Sequence, residues 1–309
     1  MMTIWQRRLR NWIHGSVFAG AGLGLCAAGC GKTPAPDNAK VDTISNAVQP
    51  GDPAKNPAED PTIAAVNYNQ SFDEAANTEM LDGHEIPPDI TLGGKKTGLL
   101  REAIEESWPK IRLADSAGKP IPYALRIETS EGPIEIQLRP EIAPNHVRNI
   151  IALTKAGYYD GLLFERNIHQ RAELEGQKSQ LDILIAGCPK GTGDDGFGHV
   201  GYFMRAEFQP ELKHREGTVG FWHEEDPDSA GCRFYITLGP APILDGKFTV
   251  IGNVSQGLDI VRKIAAQPVR SADASPENEL PVTPTVIQKA TISPDALEKT
   301  VPIVHNDKQ

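Results

Sequence analysis

The chain is short of cysteine and of positive charge and has no long apolar run, and each shortage removes a class of function. Four cysteines stand among 309 residues, and two of them, Cys26 and Cys30, fall within the first thirty. No CxxC pair and no Cys/His cluster has zinc-ligand spacing, so no structural metal is expected. Lys and Arg total 31 against 41 Asp and Glu, a formal net charge of −10. That balance gives no electrostatic case for nucleic acid or for an anionic membrane surface. Beyond the first thirty residues no apolar stretch reaches the ~20 residues that span a bilayer. Internal repeats are also missing.

What is present begins with an address. Arg7, Arg8 and Arg10 form a basic region, residues 12–25 a short Gly- and Ala-rich apolar stretch, and Ala27-Ala28-Gly29 runs into Cys30. Residues 1–30 resemble a bacterial lipoprotein signal, cut before Cys30 so that its thiol carries the lipid. The position three before the cysteine is Ala27 where leucine is usual. An ordinary secretory signal or an uncleaved anchor therefore stays open. The expected place is the bacterial cell envelope, lipid-anchored, with the remaining chain facing the periplasm or the exterior. Two decoys fail here. Gly31-Lys32-Thr33 ends like a phosphate-binding loop but has Cys26 where that loop needs glycine; Gly20-Ala21-Gly22 starts like a dinucleotide fingerprint but has Leu25.

Residues 31–95 are rich in Pro, Asp, Asn and Ala without apolar periodicity, and are expected to be a disordered tether. Residues 96–121 form an N-terminal extension, with a short helix over 99–111 that places Leu99, Leu100, Ile104 and Trp108 on one side. The pattern sharpens in 122–293. Tyr123, Leu125 and Ile127 alternate with polar neighbours, as do Ile134, Ile136 and Leu138 after a Gly/Pro turn, which predicts a hairpin. Pro144 opens a helix and Gly157 suits its end. Short strands follow near 183–186, 218–222, 234–237 and 248–253, then a helix over 258–266 and a strand near 285–292. Many short strands with one early and one late helix predict a mainly β barrel capped by two α-helices. Residues 294–309 are a tail.

The stretch IETSEGPIEIQLRPEIAPNHVRNIIALTKAGYYDGLLFERNI (127–168) resembles the opening of bacterial cyclophilins. The likeness resumes at GCPKGTGDDGFGHVGYFMRAEF (187–208), continues through LKHREGTVGFW (212–222) and DPDSAGCRFYITLGPAPILDGKFTVIGNVSQGLDIVRKI (226–264), and closes with PVTPTVIQKATI (281–292). It implies an eight-stranded antiparallel cyclophilin-like barrel closed by two helices, with a substrate groove on its outer face. The implied activity is peptidyl-prolyl cis–trans isomerisation, aiding the folding of exported proteins. Proline-containing polypeptides are the implied partners, and neither metal nor cofactor is implied.

The chemistry needs little equipment. Rotation about a peptide bond faces ~18–20 kcal/mol because C–N has double-bond character. A catalyst must hold the proline ring in an apolar pocket and favour the twisted amide, whose nitrogen can accept a hydrogen bond. An arginine suits that donation. Arg166 matches the family's catalytic arginine; a lone arginine is more often a surface ion-pair partner, but the surrounding signature outweighs that. The resemblance also assigns Phe164, Ile185, Trp222, Arg233, Tyr235, Ile243, Leu244 and Phe248 to the substrate groove. Several depart from the family. Glu165 replaces a histidine and is expected to compete for Arg166. Ile185 and Arg233 stand where two gripping glutamines are usual. Tyr235 replaces a phenylalanine, and Trp222 an alanine. Trp222 either narrows the groove or packs as core, and Ile243, Leu244 and Phe248 are pocket wall or barrel packing. The polar stretch 169–180 is about ten residues longer than the family's turn and is expected to be an exposed loop. Cys188 and Cys232 border the groove in the family and are expected as separate buried thiols; His214 is expected to be structural. These departures keep a second class open, a module of the same fold that binds proline-containing peptides with little turnover.

Overall fold

The computed structural model describes residues 66–174, 177–270 and 279–296. The signal-like residues, Cys30, most of the expected tether and most of the C-terminal tail lie outside them. The hairpin forms as the alternation requires. Strands β2 (Ala124–Thr129) and β3 (Gly132–Leu138) pair Leu125 with Ile136 and Ile127 with Ile134. All four side chains are buried, because period-2 spacing sends them to one face. The turn is pinned by Thr129, whose Oγ1 donates to the Gly132 carbonyl at 2.6 Å and accepts from the Glu131 and Gly132 amides. Helix α3 (Pro144–Lys155) starts on its proline, which has no N–H to leave unpaired, and gives way to Gly157 at φ +73°.

The other strands are β4 (Phe164–Leu174), β5 (Gln177–Ala186), β7 (Thr218–Phe221), β8 (Phe234–Thr237), β9 (Val250–Gln256) and β10 (Ile287–Ser293). Together with β2 and β3 they form one antiparallel eight-stranded sheet in the order β10-β2-β3-β9-β7-β8-β5-β4. The sheet curls until its edges meet. Leu163 bridges Val286, the Phe164 amide donates to Thr285 at 2.9 Å, and the Ile287 amide to Leu162 at 2.8 Å. The expected late helix is α4 (Leu258–Ala265), which buries Val261 and Ile264. One apolar cluster fills the interior, with Leu125, Ile136, Phe164, Leu184 and Phe234 among its members. A smaller second cluster lies on the other face of β5 and β8 and contains Ile168, Ile183, Ile185, Trp222, Tyr235, Leu244 and Phe248.

Three expectations need correction. Residues 66–95 are not a tether. Helix α1 (Phe72–Ala75) is closed by a capping box between Ser71 and Glu74, and strand β1 (Ala76–Asn77) pairs with β6 (Phe203–Met204). Phe72 packs edge-on against Trp108 and Tyr202, and the Gln70 carbonyl accepts from both Trp108 Nε1 and Arg148 Nη1 at 3.0 Å. The segment has few apolar groups of its own; the barrel side supplies the surface and the donors that order it. The extension's helix, α2 (Thr97–Ser107), leads into a 3-10 turn over Trp108–Lys110. It buries Leu100, Ile104 and Trp108, but Leu99 lies off that face and is exposed. Finally, 169–180 is no loop. β4 and β5 pair continuously from Asn167↔Leu184 to Leu174↔Gln177. An antiparallel ladder needs only backbone partners, so polar composition did not prevent its extension.

Candidate active site

The site is built around the second cluster. Ile185, Tyr235 and Gly220 sit side by side across β5, β8 and β7. Gly220 is required there, since a Cβ would stand 2.4 Å from the Tyr235 hydroxyl. That hydroxyl lies 2.7 Å from His214 Nε2, while His214 Nδ1 lies 2.9 Å from Asp245 Oδ1. Asp245 also accepts from the His214 amide, and its carboxyl sits below its ordinary range through these bonds, against the opposing effect of burial. Burial keeps His214 neutral by lowering its pKa. The imidazole therefore donates through Nδ1 and accepts the tyrosine proton at Nε2. His214 is structural, and it fixes the ring that Tyr235 presents to the cluster.

Trp222 follows β7 directly. Its ring stacks on Phe248 at 5.4 Å and 29°, and His223 stacks on Phe248 at 4.1 Å and 24°. Over this cluster opens a pocket of about 180 Å³. Its apolar side is Leu181, Trp222, Ile243, Leu244 and Phe248. Its other side is Asp195, Glu224, Glu225 and Asp226, completed by Asp82, Gly83 and His84 from the ordered segment 66–95. Ile185 and Tyr235 lie fully buried beneath the pocket rather than on its surface.

Arg166 reaches this face through a bulge. The β4–β5 register shifts between Phe164 and Arg166, so Glu165 is the extra residue. Without it Phe164 and Arg166 would share a face. With it Phe164 packs inside the barrel 6.3 Å from Phe234, while Arg166 goes to the side of Ile168. Phe164 is therefore core and not a groove residue. The Arg166 side chain is 1% exposed. Its Nε donates to Glu279 Oε2 at 3.0 Å, Nη2 also donates to Glu279, and Nη1 lies 3.5 Å from Asp195 on the pocket wall. Glu279 is held in turn by Gln170 Nε2 at 2.7 Å. Gly193, at φ +69°, makes room for this arrangement, because a Cβ there would stand 2.8 Å from Arg166 Cγ.

Glu165 does not compete for Arg166. It points the other way, accepts from the Cys188 amide at 3.1 Å, and pairs with Arg233 Nε at 3.2 Å. Burial pushes the Glu165 carboxyl above its ordinary range, against the pull of Arg233. Arg233 itself is fully buried. It donates to the Gly193 carbonyl at 3.2 Å and stands 3.6 Å from Glu224, and it does not line the pocket. Glu224 is raised to about 7, first by burial and then by Asp195. Cys188 and Cys232 are separate buried thiols.

Four of the residues named from the sequence thus line the pocket: Trp222, Ile243, Leu244 and Phe248. Arg166 stands at its edge through Asp195. Leu181, Asp195, Glu224 and Glu279 carried no signal of their own, and Asp82 and His84 lie in what read as tether. His223, which the resemblance sets nearer the groove than His214, also lines the pocket.

A sequence profile described as cyclophilin type peptidyl-prolyl cis-trans isomerase/CLD matches residues 124–292. Peptidyl-prolyl cis-trans isomerase CYP18-2 of Arabidopsis thaliana is 31% identical over 152 residues, 49% of this chain and 86% of its own length. A peptidyl-prolyl cis-trans isomerase-like 1 of Rhizopus delemar is 36% identical over 139 residues, 45% of this chain and 77% of its own length. A solved cyclophilin type peptidyl-prolyl cis-trans isomerase of Cryptosporidium parvum superposes with a TM-score of 0.47 at 24% identity, over 56% of this chain and 98% of that one. The profile runs from the first strand of the barrel to the last and takes in more than half of the sequence, so the chain belongs to the cyclophilin-type peptidyl-prolyl cis-trans isomerase family.

Proposed function

We propose that this isomerase acts on X–Pro bonds of exported proteins, with the proline ring in the apolar half of the pocket and Arg166 donating to the twisted amide. The observation that carries the assignment is the bulge at Glu165, which turns Arg166 out of the barrel interior toward the pocket wall. Trp222, Leu244 and Phe248 supply a surface that a proline ring can fill without losing hydrogen bonds. As the amide twists, its nitrogen gains lone-pair character, and a guanidinium N–H satisfies it only then, which is the condition for catalysis. Nη1 is the donor best placed to do so, since its contact with Asp195 is long and Glu279 engages the other two nitrogens. Export and lipid anchoring rest on residues 1–30 with Cys30, and would be tested by lipid labelling of wild type against Cys30→Ser.

The test of the chemistry is a proline-isomerisation assay. Arg166→Ala is expected to lower kcat/KM by about 10²-fold, the usual cost of removing one transition-state donor. Glu279→Gln, which weakens the competing ion pair, should raise it by about two- to tenfold. Turnover unchanged by Arg166→Ala would remove the mechanism. The second reading, a peptide-binding module with little turnover, is favoured by Ile185 standing where a gripping amide is usual. It predicts peptide binding in both variants and negligible rates in all three proteins.

A further inference from the structure

The pocket is one-sided in charge. Asp82, Asp195, Glu224, Glu225 and Asp226 converge on it from three separate stretches of chain. The two arginines nearby offset only part of this charge. Arg166 pairs with Glu279 and lies 3.5 Å from Asp195, and Arg233 pairs with Glu165 and lies 3.6 Å from Glu224, which leaves Asp82, Glu225 and Asp226 outside these pairs among the described residues. Three buried side-chain atoms of pocket-lining residues have no hydrogen-bond partner among the described residues: the indole Nε1 of Trp222, a residue only 8% exposed, Nε2 of His84, and Oε1 of Glu224, which keeps Arg233 at 3.6 Å. An orphaned buried donor and an orphaned buried acceptor are each costly and call for complements. A peptide backbone carbonyl would complete the indole. An ammonium or guanidinium would complement the Asp82, Glu225 and Asp226 carboxylates.

We infer that the pocket selects proline-containing segments with a lysine or arginine beside the proline, gripping a backbone carbonyl through Trp222 Nε1. This deepens the isomerase proposal above and rests on the same pocket. The apolar half takes the ring, and the carboxylate half takes the neighbouring cation. The Trp222 indole does the work of the amides that Ile185 and Arg233 have displaced, since neither of those side chains reaches the pocket surface. Trp222 is then a specificity-determining residue and not merely a wall.

The test uses short peptides with Lys, Ala or Glu directly before or directly after a single proline. Both calorimetric affinity and kcat/KM are read, at ~0.01 M and ~1 M salt, where the screening length falls from roughly 30 to 3 Å. The Lys peptide is expected to exceed the Glu peptide by about tenfold in low salt, with the gap closing in high salt. Asp82→Asn combined with Glu225→Gln should shrink the gap, and Trp222→Phe should weaken all peptides alike. Turnover with no charge preference, or with Glu preferred, would overturn this inference and leave the isomerase proposal standing. Binding with Lys preferred but no turnover would do the reverse. Affinities untouched by Trp222→Phe would remove the indole's role.

Discussion

At the scale of single residues, the site is a set of charges placed where water reaches poorly. Glu224 shows the consequence most directly. Its carboxyl faces Asp195, with Arg233 and Arg166 as the nearest cations, and it is raised to about 7 from an ordinary value near 4.5. The folded state therefore holds a proton through a pH range in which the unfolded state has lost it. Stability attributable to this group is greatest below that range, falls as pH rises through it, and reaches its lowest level above about 7. Glu224→Gln removes the titration. It should raise Tm by about 2–4 °C near pH 8 and leave it almost unchanged near pH 5, as read by calorimetry. A gain that is equal at both values would show that burial and Asp195 do not act on Glu224 as described. The buried pair of Glu165 and Arg233 obeys different rules. Each charge is tolerable only because the other is there, so the pair is weak evidence of stability although breaking it would be costly.

At the scale of elements, the deciding feature is the one-residue bulge in β4. Alternation made β2 and β3 readable, because one buried face imposes period 2 on the sequence, whereas 183–186 and 234–237, buried on both faces, read as short apolar runs. A bulge leaves no such mark. It is set by the register against β5, a partner some twenty residues away, so Phe164 and Arg166 read as residues of one face. The same limit hid Glu165's partner, Arg233, and Arg166's partner, Glu279, which lie 68 and 113 positions away. Trp222, Ile243, Leu244 and Phe248 were legible because they sit inside segments that resemble the family. Asp195 and Leu181 sit inside or beside such segments, but no local pattern announced them. The long β4–β5 ribbon makes a separate prediction. Residues 183–186 pair with β8, whereas the register from Leu181 outward is shared with β4 alone among the described residues. Replacing residues 172–179 by Asn-Gly keeps Leu181 and Gln170 and supplies a turn suited to a two-residue hairpin. Tm should change by less than about 3 °C, and peptide affinity should be retained. A larger loss would mean that the ribbon supports the barrel.

At the scale of the whole molecule, the extension is a working part of the domain. Composition alone argued that 66–95 would stay unfolded. That argument counts only what a segment can bury against itself, and here α1 inserts Phe72 between Trp108 and Tyr202. Phe72→Ala should cost about 3 kcal/mol, the lower end for a buried phenylalanine, and lower Tm accordingly. Since Asp82 and His84 follow this anchor, the same variant should also weaken peptide binding, although Phe72 does not itself line the pocket. Unchanged affinity in a folded Phe72→Ala protein would uncouple the extension from the site.

The pocket is thus a seam between the barrel and the segment that precedes it rather than a hollow in one of them. Whatever fills it touches the barrel on one side and the strap at Asp82–His84 on the other. A ligand that touches both sides binds the assembled seam and not the separated parts, so its binding should stabilise the docking of Asp82–His84 by mass action. Occupancy and strap seating are then two views of a single equilibrium.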